Sequence, residues 1–317
     1  MERRENSLQL ARLALLEAES RLRSSDASVL PSEAYDQAYG FNRRYVGVYT
    51  DAAALRDKGM PPIPQSAFVM AVRTFTNELN SLVAFLRRDK RKEMEGLESP
   101  SVKAMVDKLS QLTLSNSAIW EREHSRPPIR APWVIKAPYY ALCYALDNIF
   151  EGRPLARLWF LETVARVPYL SYIAMLHLYE SLGWWRVGSQ AKRVHFAEEW
   201  NEYHHLLIME TLGGDRLWVD RFMAGHSAVL YFWVLCVLWL VSPTLAYNFS
   251  ELIEAHAVDT YGQFVDENEE LLKSMPAPAI ARTYYTQDMY MYDEFQVRFR
   301  PHAHGILVAR CLKRKRG

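Results

Sequence analysis

Apolar residues recur at helical spacing in several segments of the chain, and no segment alternates apolar and polar residues as a strand would. The spacing predicts a leading amphipathic helix over residues 4–24, a second helix over 66–88 and a third over 101–119. Residues 25–64 are rich in turn formers, and the prolines within 124–138 predict an extended connection. The pattern as a whole predicts an all-α fold.

From Tyr139 to Tyr261 apolar and aromatic residues occupy nearly every side of the predicted helices. Helices of this kind bury their whole circumference, either in a bundle or against lipid. The most apolar run, residues 228–241, is 14 residues long, whereas a membrane-spanning helix needs about 20 residues. We therefore predict a buried bundle helix, or one lying in the membrane interface, rather than a transmembrane helix.

The composition excludes several classes of protein. The 317 residues are 50% hydrophobic, which is enough for a large core and argues against general disorder. Lys plus Arg number 38 against 37 Asp plus Glu, so no global basic field exists and no nucleic-acid partner is expected. The three cysteines, Cys143, Cys236 and Cys311, form neither an even disulfide framework nor a Cys-x-x-Cys motif.

The first thirty residues show no recognisable targeting signal. They carry five acidic and five basic side chains and lack an apolar stretch of signal-peptide length. They therefore match neither a secretory signal peptide nor an acid-poor transit peptide.

Acidic residues inside the apolar helices are the strongest functional signal. Glu162 is flanked by aromatic and aliphatic residues, and Glu254 follows the most apolar run. Glu202 and His205 are three residues apart, and Glu254 and Tyr261 are seven apart, so each pair shares a helix face. Burying a carboxylate costs several kcal/mol unless a positive group compensates it, so each of these positions needs a partner.

Two explanations of these carboxylates stay open. A Glu, a Glu-x-x-His and a further Glu on successive helices are three of the four ligand sets of a ferritin-like di-iron bundle. Carboxylates and imidazole are donors that suit iron. Alternatively, Glu162 pairs with Arg157 or Arg166, and the Glu-x-x-His is one of the many that arise by chance.

Five blocks resemble the alternative oxidase family, most of all its plastid terminal oxidase branch. They are LETVARVPY (161–169), LHLYESLGWWR (176–186), HFAEEWNEYHHLLIMETLGG (195–214), SELIEAHAVDTY (250–261) and PAPAIARTYYTQDMYMYDEFQ (276–296). The resemblance covers about residues 131–296, and several long blocks in the same order are far more specific than one Glu-x-x-His. It divides the chain into an N-terminal extension (1–130), the family domain (131–296) and a basic tail (297–317).

The resemblance implies a ferritin-like di-iron helical bundle, monotopic on one membrane leaflet. The family oxidises plastoquinol or ubiquinol at two non-haem iron ions and reduces O2 to water. By matching motif positions, the iron ligands would be Glu162, Glu202, His205 and Glu254, with Tyr261 beside the centre. The family also implies contact with membrane lipid, a homodimer and a location on the plastid thylakoid membrane.

Further roles follow from the same resemblance. The positions that line the quinol pocket are matched by Arg157, Leu161, Ala257 and Thr260. His177 and His204 match plastid-branch histidines, and we expect them to orient ligands through hydrogen bonds. His256 stands where the mitochondrial branch carries a glutamate.

The match fails after residue 296. There the family continues into a helix with a second Glu-x-x-His, whereas residues 297–317 hold seven Lys or Arg and no acid. We expect the last ligand-bearing helix to be missing from the chain as written. His302 and His304 lie in a loop-like Pro-His-Ala-His-Gly segment that supplies no carboxylate, so they are poor replacements.

Two hypotheses from different classes therefore stand. The protein is a quinol oxidase of which this chain is a truncated version, or it is a catalytically inactive, membrane-associated helical protein of the same family. A soluble di-iron monooxygenase or ferritin relative fits the ligand types but not the matched blocks. On the chain as written we expect poor iron binding and no oxygen uptake with a quinol.

Overall fold

A computed structural model of the chain describes residues 66–86 and 100–287, which contain eleven helices and no strand. The helices are α1 Ala67–Leu86, α2 Pro100–Ser110, α3 Asn116–Ser125, α4 Trp133–Ile149, α5 Pro154–Ala165, α6 Val167–Ser181, α7 Ser189–Thr211, α8 Trp218–Val241, α9 Pro243–Glu267, α10 Glu269–Lys273 and α11 Ala279–Gln287. The predicted all-α fold is confirmed over these residues.

The core lies between the long helices α5 to α9. α6 and α5 each pack against α7 and α8, and α8 packs against α9. One apolar cluster is centred on Leu207 and Phe264, which are fully buried, and a second contains Tyr172 and Leu235. These two clusters hold the helices that carry the acidic residues.

The single helix predicted over 101–119 is two helices in the structure. α2 ends at Ser110, and Ser115 begins α3 as its N-cap, with its side chain accepting a hydrogen bond from the Ala118 amide. Between them, the Thr113 amide donates to the side-chain oxygen of Asn268 at 3.0 Å. This tertiary contact at the end of α9 satisfies the backbone of the break, which helical spacing alone does not reveal.

The extended connection predicted over 124–138 is shorter in the structure. α3 continues to Ser125, and α4 begins at Trp133 and contains Pro138. The helix predicted over 66–88 is present as α1. The helix predicted over 4–24, the turn-rich segment that follows it, Cys311 and the basic tail with His302 and His304 lie outside the described residues.

The N-terminal part of the described chain shares the core of the rest. Met105, Leu109 and Leu112 of the α2 region are buried in the same cluster as Leu207 and Phe264. α3 packs against α9. Residues 100–125 are therefore part of the bundle, although they precede the expected boundary at residue 131.

α8 is longer and more exposed than the apolar run within it predicts. It has 24 residues, and among the described helices it is the one long and apolar enough to cross a membrane by length and composition. Only 22% of its most apolar 18-residue window is buried. Trp233, Val237 and Leu240 are all more than half exposed. Of the two predicted alternatives for this segment, the exposed apolar face of α8 agrees with the interfacial helix and not with a helix buried on all sides.

Gly214 provides a test of the packing between α5 and the end of α7. A Cβ at this position would lie 2.4 Å from Cβ of Trp159 and 2.7 Å from the backbone oxygen of Leu155. We expect Gly214→Ala to lower the free energy of unfolding by about 1 to 3 kcal/mol, because neither neighbour is a flexible side-chain end. Thermal unfolding followed by circular dichroism measures the change.

Gly225 is the matched control, because a Cβ there meets no atom within 4 Å and the residue lies inside α8. Gly225→Ala should leave stability unchanged or raise it by about 0.5 to 1 kcal/mol through helix propensity. Equal melting temperatures for the two variants would contradict the packing described at Gly214.

Candidate metal centre and the adjoining cavity

Two helices bring three candidate ligand residues together inside the bundle. Glu162 comes from α5, and Glu202 and His205 come from one face of α7. One ligand atom from each lies within 4.8 Å of the others. His205 Nδ1 is 3.3 Å from Glu202 Oε2 and 3.8 Å from Glu162 Oε2. The Glu-x-x-His spacing therefore acts as predicted and meets a glutamate from the neighbouring helix.

The donor set fits iron. Glu162 is 1% exposed and Glu202 is 4% exposed, so the group consists of two buried carboxylates and an imidazole. Carboxylate oxygens can bridge two metal ions and neutralise their charge, and imidazole adds a neutral nitrogen donor. A cation among them would offset the cost of burying both acids.

The alternative explanation, in which Glu162 pairs with Arg157 or Arg166, is wrong because both arginines bind other carboxylates. Arg157 donates to Asp147 at 2.6 Å through Nη1. Arg166 donates to Glu199 at 3.0 Å through Nε. Glu162 instead accepts a hydrogen bond from the hydroxyl of Tyr261. The buried position of Glu162 is therefore not explained by either arginine.

Two tyrosines contact the ligand residues. Tyr261 of α9 is 1% exposed and donates its hydroxyl hydrogen to Glu162. The Tyr285 hydroxyl of α11 lies 3.4 Å from Nε2 of His205. The expected position of Tyr261 beside the centre agrees with this contact. Tyr285 was not singled out in the sequence, where its only signal is its place in the last matched block.

The carboxylate of Glu202, on α7, is held by the residue that precedes it in the sequence. Asn201 donates to Glu202 Oε1 at 3.4 Å and accepts a hydrogen bond from Tyr284 at 3.1 Å. The ring of Tyr284 stacks on His204, with centroids 4.0 Å apart. His204 is fully buried, and its Nδ1 lies 2.7 Å from the backbone oxygen of Trp200. His204 thus supports α7 and α11 behind the ligands.

His177 is placed differently from His204. It is exposed on α6, while the preceding residues Met175 and Leu176 face the core. The hydrogen bonds described for the ligand residues do not involve it. The structure therefore does not bring His177 to the position that a ligand-orienting role requires.

Glu254 lies outside the three-residue group but near it. It lines a cavity of about 290 Å³, together with Leu161 and Ala257. Burial raises the pKa of the neighbouring Tyr169 well above its ordinary value, and the charges of Glu254 and Glu202 raise it further. Both carboxylates therefore lie close enough to one tyrosine to act on it, from opposite helices.

A second, larger cavity of about 760 Å³ adjoins the first. It lies between α4, α5, α8 and α9 and is lined mainly by apolar side chains. Leu161, Tyr231 and Ile253 line both cavities and form the wall between them. His256 is among the few polar residues on the wall of the larger one. Cavities of this size and character accommodate small organic ligands.

The four expected quinol-binding residues surround these cavities in different ways. Leu161 lines both, and Ala257 lines the smaller one. Arg157 is 1% exposed and lies behind His256, with its Nη2 3.1 Å from His256 Nε2. Thr260 is buried and donates its hydroxyl to the backbone oxygen of His256 at 2.8 Å. Of the two side chains in contact, His256 and Arg157, only His256 lines the larger cavity.

Comparison with known families gives a match over most of this bundle. The sequence model of the family described as alternative oxidase matches residues 102–298. No solved structure matches the chain.

Three plant proteins illustrate the similarity. Ubiquinol oxidase 4, chloroplastic/chromoplastic, of Arabidopsis thaliana is 51% identical over 164 residues, which are 51% of this chain and 46% of that protein. A mitochondrial ubiquinol oxidase of Mangifera indica is 31% identical over 44% of this chain and 43% of its own length. Mitochondrial ubiquinol oxidase 2 of Nicotiana tabacum is 30% identical over 49% of this chain and 50% of its own length. The chain spans about half the length of these relatives.

Glu254 is the most informative ligand to test, because it lies outside the compact group. We expect Glu254→Gln, like Glu202→Gln, to lower the affinity for Fe²⁺ by at least about tenfold, since each removes an anionic oxygen donor. Iron titration with metal analysis of the gel-filtered protein measures this. Glu121→Gln, an exposed glutamate of α3 that lines neither cavity, is the control. Unchanged iron binding in Glu254→Gln would remove Glu254 from the ligand set.

Proposed function

The chain belongs to the alternative oxidase family, and we propose that it is a quinol:oxygen oxidoreductase that reduces O2 to water with electrons from plastoquinol or ubiquinol. The observation that carries the proposal is the grouping of Glu162, Glu202 and His205 inside the bundle, together with a large apolar cavity lined by Leu161, the residue before Glu162. The 51% identity to a chloroplastic relative, against about 30% to mitochondrial ones, places the chain with the plastid branch.

The proposed cofactor is a pair of non-haem iron ions. Glu162, Glu202, His205 and Glu254 would hold it, because they are the hard oxygen and nitrogen donors that the bundle brings to its interior. When bound, the two ions supply the exchange of electrons with O2, which no side chain of this set provides.

The residues of the chain prepare the site for this chemistry. Tyr261 keeps a hydroxyl hydrogen on an oxygen of Glu162, so a proton is held directly at a ligand. The packed helices around Leu207 and Phe264 exclude water from the interior. Leu161 and Ile253 line both the larger cavity and the one that contains Glu254, so a ring bound in the larger cavity would contact side chains that also line the cavity of Glu254.

The larger cavity suits the ring of a quinol. Its walls are mostly aliphatic and aromatic, with His256 and the hydroxyl of Tyr231 among the few polar groups. Arg157 contacts His256 from behind. An apolar ring with polar oxygens at its ends would therefore bury its carbon atoms against α4 and α8 and direct an oxygen toward His256.

We also propose a peripheral, monotopic position on a plastid thylakoid membrane. α4 and α8 carry large exposed apolar side chains, among them Trp133, Tyr144, Leu230 and Trp233. Such a surface is larger than isolated exposed residues produce and is typical of a membrane or protein contact. A quinol from the bilayer could reach the larger cavity between these same helices. Contact with lipid and a homodimer remain parts of the proposal that the resemblance suggests.

The alternative is a catalytically inactive, membrane-associated protein of the same family. It rests on the sequence after residue 296, which lacks the second Glu-x-x-His. It predicts little bound iron and no quinol-dependent oxygen uptake, so one measurement separates it from the oxidase.

If the chain is a quinol oxidase, the purified protein, reconstituted with Fe²⁺ in liposomes, should bind about two iron ions and take up oxygen when decylplastoquinol is added, against the expectation from the sequence that the chain as written binds iron poorly. An oxygen electrode and iron analysis measure the two quantities on the same sample. The control is Glu162→Gln, which should lose at least about tenfold in iron affinity and the uptake with it. Full iron without uptake, or uptake that persists in Glu162→Gln, would contradict the oxidase proposal.

The membrane position has its own test. Val237 is 57% exposed on α8, and we expect Val237→Lys to weaken binding to phosphatidylglycerol-containing liposomes about tenfold. The reason is that a valine side chain buried in the lipid contributes roughly 1.5 kcal/mol to the free energy of binding. Flotation of the protein with the liposomes measures the bound fraction. Val187→Lys makes the same change at a residue 75% exposed between α6 and α7 and should bind like the unaltered chain. Equal binding by both variants would exclude α8 from the membrane contact.

A further inference from the structure

A buried network of charged and polar groups lies at the His256 end of the larger cavity. Arg157 and His256 are 1% and 2% exposed, and Oε2 of Glu123, on α3, lies 2.9 Å from Nδ1 of His256. The network also includes Asn116, Tyr139 and Asp147. Arg126 lies 3.7 Å from Glu123 Oε1, and Trp120 donates to Asp147 at 2.7 Å. Burial of this many polar groups is costly, so their arrangement calls for an explanation.

Both ends of the Arg157 guanidinium are hydrogen-bonded, and these bonds fix its orientation. Its Nη1 donates to Asn116 at 2.8 Å and to Asp147 at 2.6 Å. Its Nη2 points at His256 Nε2, 3.1 Å away. Its Nε is buried without a hydrogen-bond partner, so the guanidinium is held by its two ends alone.

These contacts determine the tautomer of His256. A guanidinium has only donors, so His256 Nε2 must be the acceptor that faces Arg157. The ring hydrogen therefore sits on Nδ1, which donates to Glu123 Oε2 at 2.9 Å. Were the hydrogen on Nε2 instead, two donors would face each other at 3.1 Å.

Glu123 is well prepared to accept this hydrogen. Burial by itself would raise its pKa, but hydrogen bonds from His256 and Tyr139 and the electrostatic attraction of His256 and Arg126 together hold the pKa of Glu123 below its ordinary value. Tyr139 donates to its other oxygen at 2.7 Å. Trp120 covers the His256 ring, with centroids 5.7 Å apart. Glu123 is thus an anchored carboxylate with one oxygen committed to Nδ1 of His256.

We propose that Glu123 is a positioning residue for the quinol: by accepting a hydrogen bond from Nδ1–H of His256, it fixes the tautomer and the orientation of the ring that lines the larger cavity. The proposal rests on the proposed quinol oxidation. Because Glu123 holds Nδ1 and Arg157 holds Nε2, a quinol in the cavity would meet a His256 ring of fixed orientation. Without Glu123, the ring is free to place its hydrogen on Nε2, where it would face the donors of Arg157, and the ring would turn from its position in the cavity wall.

The test compares Glu123→Ala with Glu123→Gln in the iron-loaded chain in liposomes. The amide oxygen of glutamine can still accept from Nδ1–H, so Glu123→Gln should stay within about twofold of the unaltered chain. Glu123→Ala should raise KM for decylplastoquinol about tenfold, with a smaller change in kcat, because a hydrogen bond at a charged group is lost. Iron content should not change in either variant. Glu121→Ala, an exposed residue of the same helix, is the matched control.

A second measurement does not depend on turnover. Decylplastoquinone bound near Trp120 should quench tryptophan fluorescence of the iron-free chain, and Glu123→Ala should weaken this binding by about the same factor as it raises KM. An unchanged KM and unchanged quinone binding in Glu123→Ala would overturn the proposal. So would an equal defect in Glu123→Gln, because the charge rather than the acceptor would then matter.

The two measurements separate this proposal from the oxidase proposal. If the unaltered chain binds decylplastoquinone but takes up no oxygen, the oxidase proposal fails, and weaker binding in Glu123→Ala still supports the positioning role. If the unaltered chain turns over quinol and Glu123→Ala behaves identically, the oxidase proposal stands and the positioning role fails. Absence of both uptake and quinone binding in the unaltered chain contradicts both.

Discussion

Two buried carboxylates and an imidazole occupy one small volume between α5 and α7, and the rest of the bundle makes that arrangement possible. Each acid in such a place costs free energy unless hydrogen bonds or a cation compensate it. Tyr261 donates to Glu162 from α9, and Asn201 donates to Glu202 from the preceding position of α7. Three helices must therefore keep their relative positions to within about one hydrogen-bond length, which is what the apolar clusters around Leu207 and Tyr172 provide.

Local spacing predicted part of the site well. Glu202 and His205 share a face because three residues make nearly one helical turn, and in the structure both lie in one group of side chains that could hold a metal ion. The partner from another helix, Glu162, was also predicted from its apolar surroundings. What spacing could not show is which arginine binds which acid: Arg157 and Arg166 are near Glu162 in sequence, yet they bind Asp147 and Glu199, because helix packing decides those contacts.

The errors have the same origin. The break between α2 and α3 depends on Asn268, which is 155 residues away from Thr113 in the chain. The contact of Glu123 with His256 likewise joins α3 to α9 across 133 residues. Neither periodicity nor composition contains this long-range information.

α9 carries three groups of the site: Glu254 lines the smaller cavity, His256 lines the larger one, and Tyr261 donates to Glu162. An α-helix turns by about 100° per residue. A single-residue insertion or deletion in the helix before position 254 would therefore rotate all three side chains together about the helix axis. In evolutionary terms, α9 should tolerate many exchanges of side chain on its outer surface but almost no change in length. Related chains of different total size are therefore expected to place their gaps in the connections on either side of this helix.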